Sequence, residues 1–203
     1  MNIFTPYIDD RLIATIFYIV IAIINKTIYD RKNNNYIKNR SLKSYSSFLY
    51  IHKLLRLSTL VILLGCIWLN NFNWLILFNN VYVLYFGITI STLAMIIFLA
   101  AGINLGKNYS PCYDSHLPED IIQHGLYKFI RHPIYTSNLL LMLGVFISCG
   151  SALILINLNI LFVYYLLSAY LEERQLIKHF PKYKKYKNNT GMFLPLGFQL
   201  KKK

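Results

Sequence analysis

Arg131, His132 and Pro133 stand together at the mouth of a long apolar run, inside the stretch QHGLYKFIRHPIY. Polar and titratable groups in that position are costly beside lipid and ask first for a functional explanation. Proline suits the first turn of a helix, where its missing N–H costs nothing. A helix starting at Pro133 leaves free N–H groups and a positive dipole end beside a guanidinium and an imidazole, which suits a carboxylate or a phosphate. A blander use of the same residues is Arg131 snorkelling to lipid headgroups while His132 caps the helix. Further along, Glu172 and Glu173 close the next apolar run. A carboxylate pair there accepts hydrogen bonds from hydroxyls or an ammonium group, or belongs to an ion-pair network at the surface. Tyr109, Tyr113, Tyr127 and Tyr135 offer either interface-belt aromatics or a cleft for a flat ring.

Other chemistries find no support. His52, His116, His124, His132 and His179 show no HExxH spacing, and no GxSxG, P-loop or GxGxxG occurs, so no metal is expected. Cys66, Cys112 and Cys149 are odd in number and form no CxxC, which argues against a disulfide framework or a zinc site.

The elements that must position these residues are apolar helices. The chain is 56% hydrophobic and only 14% charged, against roughly 25% charged in soluble domains. Apolar runs near 12–28, 54–69, 75 or 81 to 105, 133–149 and 152–171 reach or approach the ~20 residues that span a bilayer. The expected fold is therefore an all-α integral membrane protein of about five transmembrane helices, with a C-terminal helical hairpin and an amphipathic tail. The first run lacks a basic leader and a small-x-small cleavage site and reads as a retained helix. Residues 1–104 would hold the first three helices, and 105–203 the chemistry-bearing region.

The net charge of +13 sits in blocks flanking the apolar runs, which indicates membrane orientation rather than nucleic-acid binding. It places the 31–47 loop, the 106–131 segment and the tail in the cytoplasm, with the N-terminus outside. The tight Gly150-Ser151 turn makes the last two runs an antiparallel hairpin, returning Glu172 and Glu173 to the side of Arg131 and His132. Leu176, Ile177, Phe180, Tyr183 and Tyr186 recur at three- and four-residue spacing with lysines between, interrupted at Pro181. That pattern reads as an amphipathic segment that either anchors to the inner surface or roofs a pocket over the hairpin.

Taken in order, GLYKFIRHPIY, EERQL, HFPKYKKY and FLP resemble the motif set of the isoprenylcysteine carboxyl methyltransferase family, a layout shared by phospholipid N-methyltransferases. LGKNYS, at 105–110, is similar to the LGxxWS element that precedes it, and the likeness covers 105–195. Ser137 stands where the family usually has Gly, Leu126 where many members have Pro, and Tyr109 where Trp is common. The resemblance implies an integral membrane methyltransferase with a cytosol-facing S-adenosylmethionine pocket built by the hairpin and the tail. It assigns Tyr127, His132, Pro133, Ile134, Tyr135, Glu172 and Glu173 to that pocket, with Ile121 and Ile122 as its apolar lining. Arg131 is expected to position a carboxylate, either the cofactor's or the acceptor's. A carboxylate acceptor is already ionised and needs no base, whereas an amine would call on Glu172 or Glu173. The implied partners are the bilayer and a lipophilic acceptor; the resemblance makes carboxyl O-methylation of a lipid-like or lipidated acceptor the leading expectation, with phospholipid N-methylation as the alternative. An NADPH-dependent reductase of the steroid-reductase type, which has a similar layout, is the competing enzyme reading; a lipid-binding scaffold is the non-enzyme one.

Overall fold

The computed structural model describes residues 8–38, 47–68, 75–108 and 118–196. Among them the chain is all helical, in six α-helices: α1 (Ile8–Lys38), α2 (Ser47–Trp68), α3 (Val81–Leu105), α4 (Pro133–Cys149), α5 (Ala152–His179) and the short α6 (Tyr183–Asn189). Two of them, α3 and α5, are long and apolar enough to cross a membrane; α4 and residues 13–28 of α1 are shorter apolar helices. Tyr109, Tyr113, His116 and the terminal lysines lie outside the described residues.

Local chemistry sets the boundaries. The third run starts its helix at Val81 rather than 75 because the Asn80 side chain accepts the N–H groups of Tyr82 and Val83, at 2.8 and 3.4 Å. Pro133 opens α4, and Gly150 ends it in a left-handed conformation. The sequence expectation fails at α5, which runs past Leu171 through both glutamates to His179. Glu, Arg, Gln and Leu all favour helix, and nothing stops it until Pro181 holds Phe180 extended. Hydropathy marks where lipid ends; the backbone does not end there.

The surface is inverted relative to a water-soluble bundle. On α2 the exposed residues include Ile51, Leu54, Leu57 and Val61, with Tyr50 and Lys53 near its start, while His52 is buried. Ser91, Ser137 and Asn157 are buried in the interior and hydrogen-bonded there. Apolar groups outside and hydrogen-bonded polar groups inside is the arrangement a lipid solvent selects.

The closest helix pair is α3 with α4, and small residues permit it. A Cβ on Gly144 would stand 2.7 Å from the Gly87 carbonyl oxygen and collide with Ser91 Oγ. Across this seam the Tyr18 hydroxyl of α1 reaches Ser148 Oγ at 2.6 Å and Ser91 Oγ at 3.2 Å. Gly144→Ala should therefore lower the midpoint of thermal unfolding in detergent, at a cost of about 1–3 kcal/mol. Just past the same, C-terminal, end of α4, the Leu77 N–H donates to the Gly150 carbonyl at 2.8 Å, clipping the 75–78 segment to the hairpin turn.

Candidate functional site

The hairpin brings Arg131 and His132 against Glu172 and Glu173, as the topology predicts. The arrangement is asymmetric. Glu173 is fully buried, and one oxygen, Oε1, accepts from Arg131 Nε at 2.6 Å and from His132 Nε2 at 3.1 Å. Its Oε2 pairs with Lys187 Nζ at 2.8 Å. Glu172, more exposed, accepts from the Tyr135 hydroxyl at 3.0 Å and stands 3.7 Å from His132 Nδ1.

The tail is fastened to this cluster through its backbone. Arg131 Nη1 donates to the carbonyls of Lys187 and Thr190, and the backbone N–H groups of Arg131 and His132 donate to Gly191 and Met192, at 2.8 and 3.1 Å. Thr136 Oγ1 adds a bond to the Phe193 carbonyl at 3.0 Å. Arg131 is thus a cross-link through its Nε and Nη1 groups, and its side chain also lines the cavity. His132 makes no side-chain cap on α4; its ring is turned toward Glu173.

Of the tail's apolar stripe, Ile177 is exposed and the other members turn toward the protein. Leu176, Tyr183 and Tyr186 form a buried cluster with Ile121 and Phe180 packed against it, which supports the roof over the anchor. The Tyr186 hydroxyl donates to the Tyr127 carbonyl at 2.6 Å. Burial pushes the Tyr186 hydroxyl up to about 12, so it remains a donor through neutral pH. Tyr186→Phe removes one buried bond, worth about 0.5–1.5 kcal/mol. Faster amide hydrogen exchange across 183–189, with the hairpin amides unchanged, is the expected result.

Beneath this roof lies one cavity of about 240 Å³. Of the residues expected from the sequence, Ile121, Ile122, Tyr127, Arg131, His132, Ile134, Tyr135 and Glu172 line it. Glu173 and Pro133 do not; they stand behind the wall and shape it. Gly125, at φ +58°, opens the turn that aims Tyr127 inward, and a Cβ there would strike the Asn104 side chain. Ser137, in place of the family's usual Gly, is accommodated by bonding back to the Ile134 carbonyl at 2.8 Å. Of the cysteines, Cys149 donates its thiol to the Phe146 carbonyl at 3.9 Å, and Cys66 and Cys112 lie outside the described side chains.

The wall continues inward as stacked rings: His132 on Tyr135 at 5.3 Å between centroids, then Tyr135 on Tyr165 at 4.7 Å. Tyr165 is met by Asn138 Nδ2 and by His52 Nε2, both at 2.9 Å. Asn157 of α5 donates to Thr59 and Ser58 of α2, at 2.9 and 3.1 Å. These inner residues were not anticipated from the sequence. Their signal was the polar set His52, Arg56 and Thr59, spaced to share one face of an otherwise apolar helix.

The ordered set is chemically coherent. An accessible carboxylate, flat aromatic rings and apolar helix side chains line one cavity. No curated protein matches the chain. A sequence profile described as phospholipid methyltransferase matches residues 82–183, half of the chain, from the start of α3 to the first residue of α6. The protein belongs to the phospholipid methyltransferase family.

Proposed function

We propose that this protein is an integral membrane, S-adenosylmethionine-dependent methyltransferase that methylates the amine head of a lipid. Glu172 carries this reading: it is the carboxylate of the acid pair that faces the cavity, with Tyr135 holding it in place. The five long helices would each span the bilayer, with the tail on the cytoplasmic side where the lysines concentrate. The residues present suit the cofactor: a carboxylate to receive hydroxyl or ammonium groups, stacked rings beside it, and Ile121 and Ile122 as an apolar floor. When bound, S-adenosylmethionine supplies an electrophilic methyl group on a sulfonium.

The chain itself would do three things. The Tyr183 and Tyr186 roof excludes water, and the hairpin aligns the acceptor, so that effective molarity supplies much of the rate. Glu172 takes the proton that a lipid ammonium must lose before or as its nitrogen is methylated. The Arg131–Glu173 pair keeps the roof closed over the wall. A carboxylate acceptor is the second reading, favoured by the likeness of the ordered motifs to the isoprenylcysteine carboxyl methyltransferases. It needs no base, and Glu172 would repel it.

Purified protein reconstituted in phosphatidylethanolamine vesicles with methyl-labelled S-adenosylmethionine tests this directly. Label that enters the lipid and survives alkali is expected. Alkali-labile label would indicate a methyl ester and favour the second reading. Binding of NADPH with no binding of S-adenosylmethionine would overturn both.

A further inference from the structure

Two cations appear on the cavity wall, Arg131 and Arg56. Arg131 is paired with Glu173 and tied to the tail. Arg56, half-buried on α2, has no carboxylate within ion-pair distance among the described residues. A guanidinium facing an apolar bundle without a counter-charge is expensive, and the cost falls only when an anion arrives. One turn before it on the same face, His52 is buried and held by Tyr165. Asn25 of α1 lines the same cavity, is only 7% exposed, and its side-chain Oδ1 has no hydrogen-bond partner. A half-turn of that amide presents its NH2 group instead, a donor suited to the same anion.

From these observations we infer that Arg56 and Asn25 form an anion subsite for the acceptor lipid, taking a phosphate or carboxylate group set back from the methylated head. This rests on the methyltransferase reading above. The subsite belongs to α1 and α2, outside the matched family region of 82–183, whereas the residues assigned to the cofactor lie on α4, α5 and the segments beside them. Leu55, Leu60, Val145 and Leu161 line the same cavity as an apolar wall suited to acyl chains. The first two helices would therefore select which lipid is methylated, and the last two would perform the transfer.

The test uses full-length protein in detergent micelles, titrated separately with phosphatidylethanolamine, oleic acid and oleylamine and followed by native mass spectrometry. S-adenosylmethionine affinity is measured in parallel by calorimetry. Arg56→Gln should weaken binding of the anion-bearing lipid by about tenfold or more, as loss of a charge-assisted contact predicts. Oleylamine, which carries no anion, should bind equally well to both proteins, and Arg56→Lys should recover part of the loss. Weakening confined to phosphatidylethanolamine identifies a phosphate, and weakening of oleic acid identifies a carboxylate. The inference fails if no anionic lipid depends on Arg56, if oleylamine is weakened equally, or if S-adenosylmethionine affinity falls in step. Lipid binding that depends on Arg56 with no methyl transfer by the wild type would sink the enzymatic reading and leave the subsite standing.

Discussion

Glu173→Ala should unfasten the tail from the helix bundle and destabilise the protein by about 3–5 kcal/mol, the usual cost of breaking a buried ion pair from one side. The carboxylate is shared by Arg131, His132 and Lys187, and its removal leaves Arg131 buried without its counter-charge. The expected observations are a fall in thermal midpoint and loss of S-adenosylmethionine binding, although Glu173 does not itself line the cavity. If Glu173→Ala bound S-adenosylmethionine with wild-type affinity, the tail would not be the roof described above. Glu173 lies beyond the apolar part of α5, which ends at Leu171. Burial alone would raise its carboxyl, but hydrogen bonds from His132, Lys187 and Arg131 outweigh burial and hold it at about 2, against an ordinary 4.5. A depressed carboxyl contributes stability in full above the ordinary value and loses it as pH falls toward the folded one. The wild-type thermal midpoint should thus decline more steeply than that of Glu173→Ala between pH 4.5 and about 2.

Glu172→Gln should lower kcat for amine methylation by about 10²–10⁴-fold, the range spanned by general base catalysis. Gln keeps the volume and an acceptor for the Tyr135 hydroxyl but cannot take a proton. Stability should change little, because Glu172 is the more exposed of the pair and carries fewer contacts. S-adenosylmethionine affinity should fall less than kcat. With a carboxylate acceptor the same substitution removes a repulsion and should leave the rate unchanged or raise it. Parallel kinetics on phosphatidylethanolamine and on a prenylated cysteine therefore separate the two readings by the direction of the effect.

The parts of this site that were legible in the sequence were those with local signals. Pro133 marked the start of α4, Gly150 marked its end, and together they dictated the hairpin that brings the acid pair back to Arg131. The three-residue stripe Tyr183, Tyr186 and its neighbours announced a helix with one buried face, although local spacing left open whether lipid or protein would cover it. The division of labour between the glutamates was not legible. They are adjacent in the chain, yet successive helical residues point about 100° apart, so one enters the packed interior while the other faces the cavity. The engagement of Arg131 was hidden for a related reason: its partners are backbone carbonyls at Lys187 and Thr190, which no residue type advertises. Arg56 and Asn25 belong to no motif, and only the packing of α1 and α2 around the cavity shows that they face a common space.

The backbone clip between Arg131–His132 and Gly191–Met192 has a consequence for biogenesis. All five long helices precede those last carbonyls in chain order. During synthesis the bundle can thus be integrated and laterally packed while the roof does not yet exist. A nascent or truncated chain ending before Thr190 would carry the apolar architecture and the acid pair, but with Arg131 only partly paired and the pocket open to water. On the methyltransferase reading proposed above, the pocket would close only once residues 190–192, which follow all five long helices in chain order, are in place.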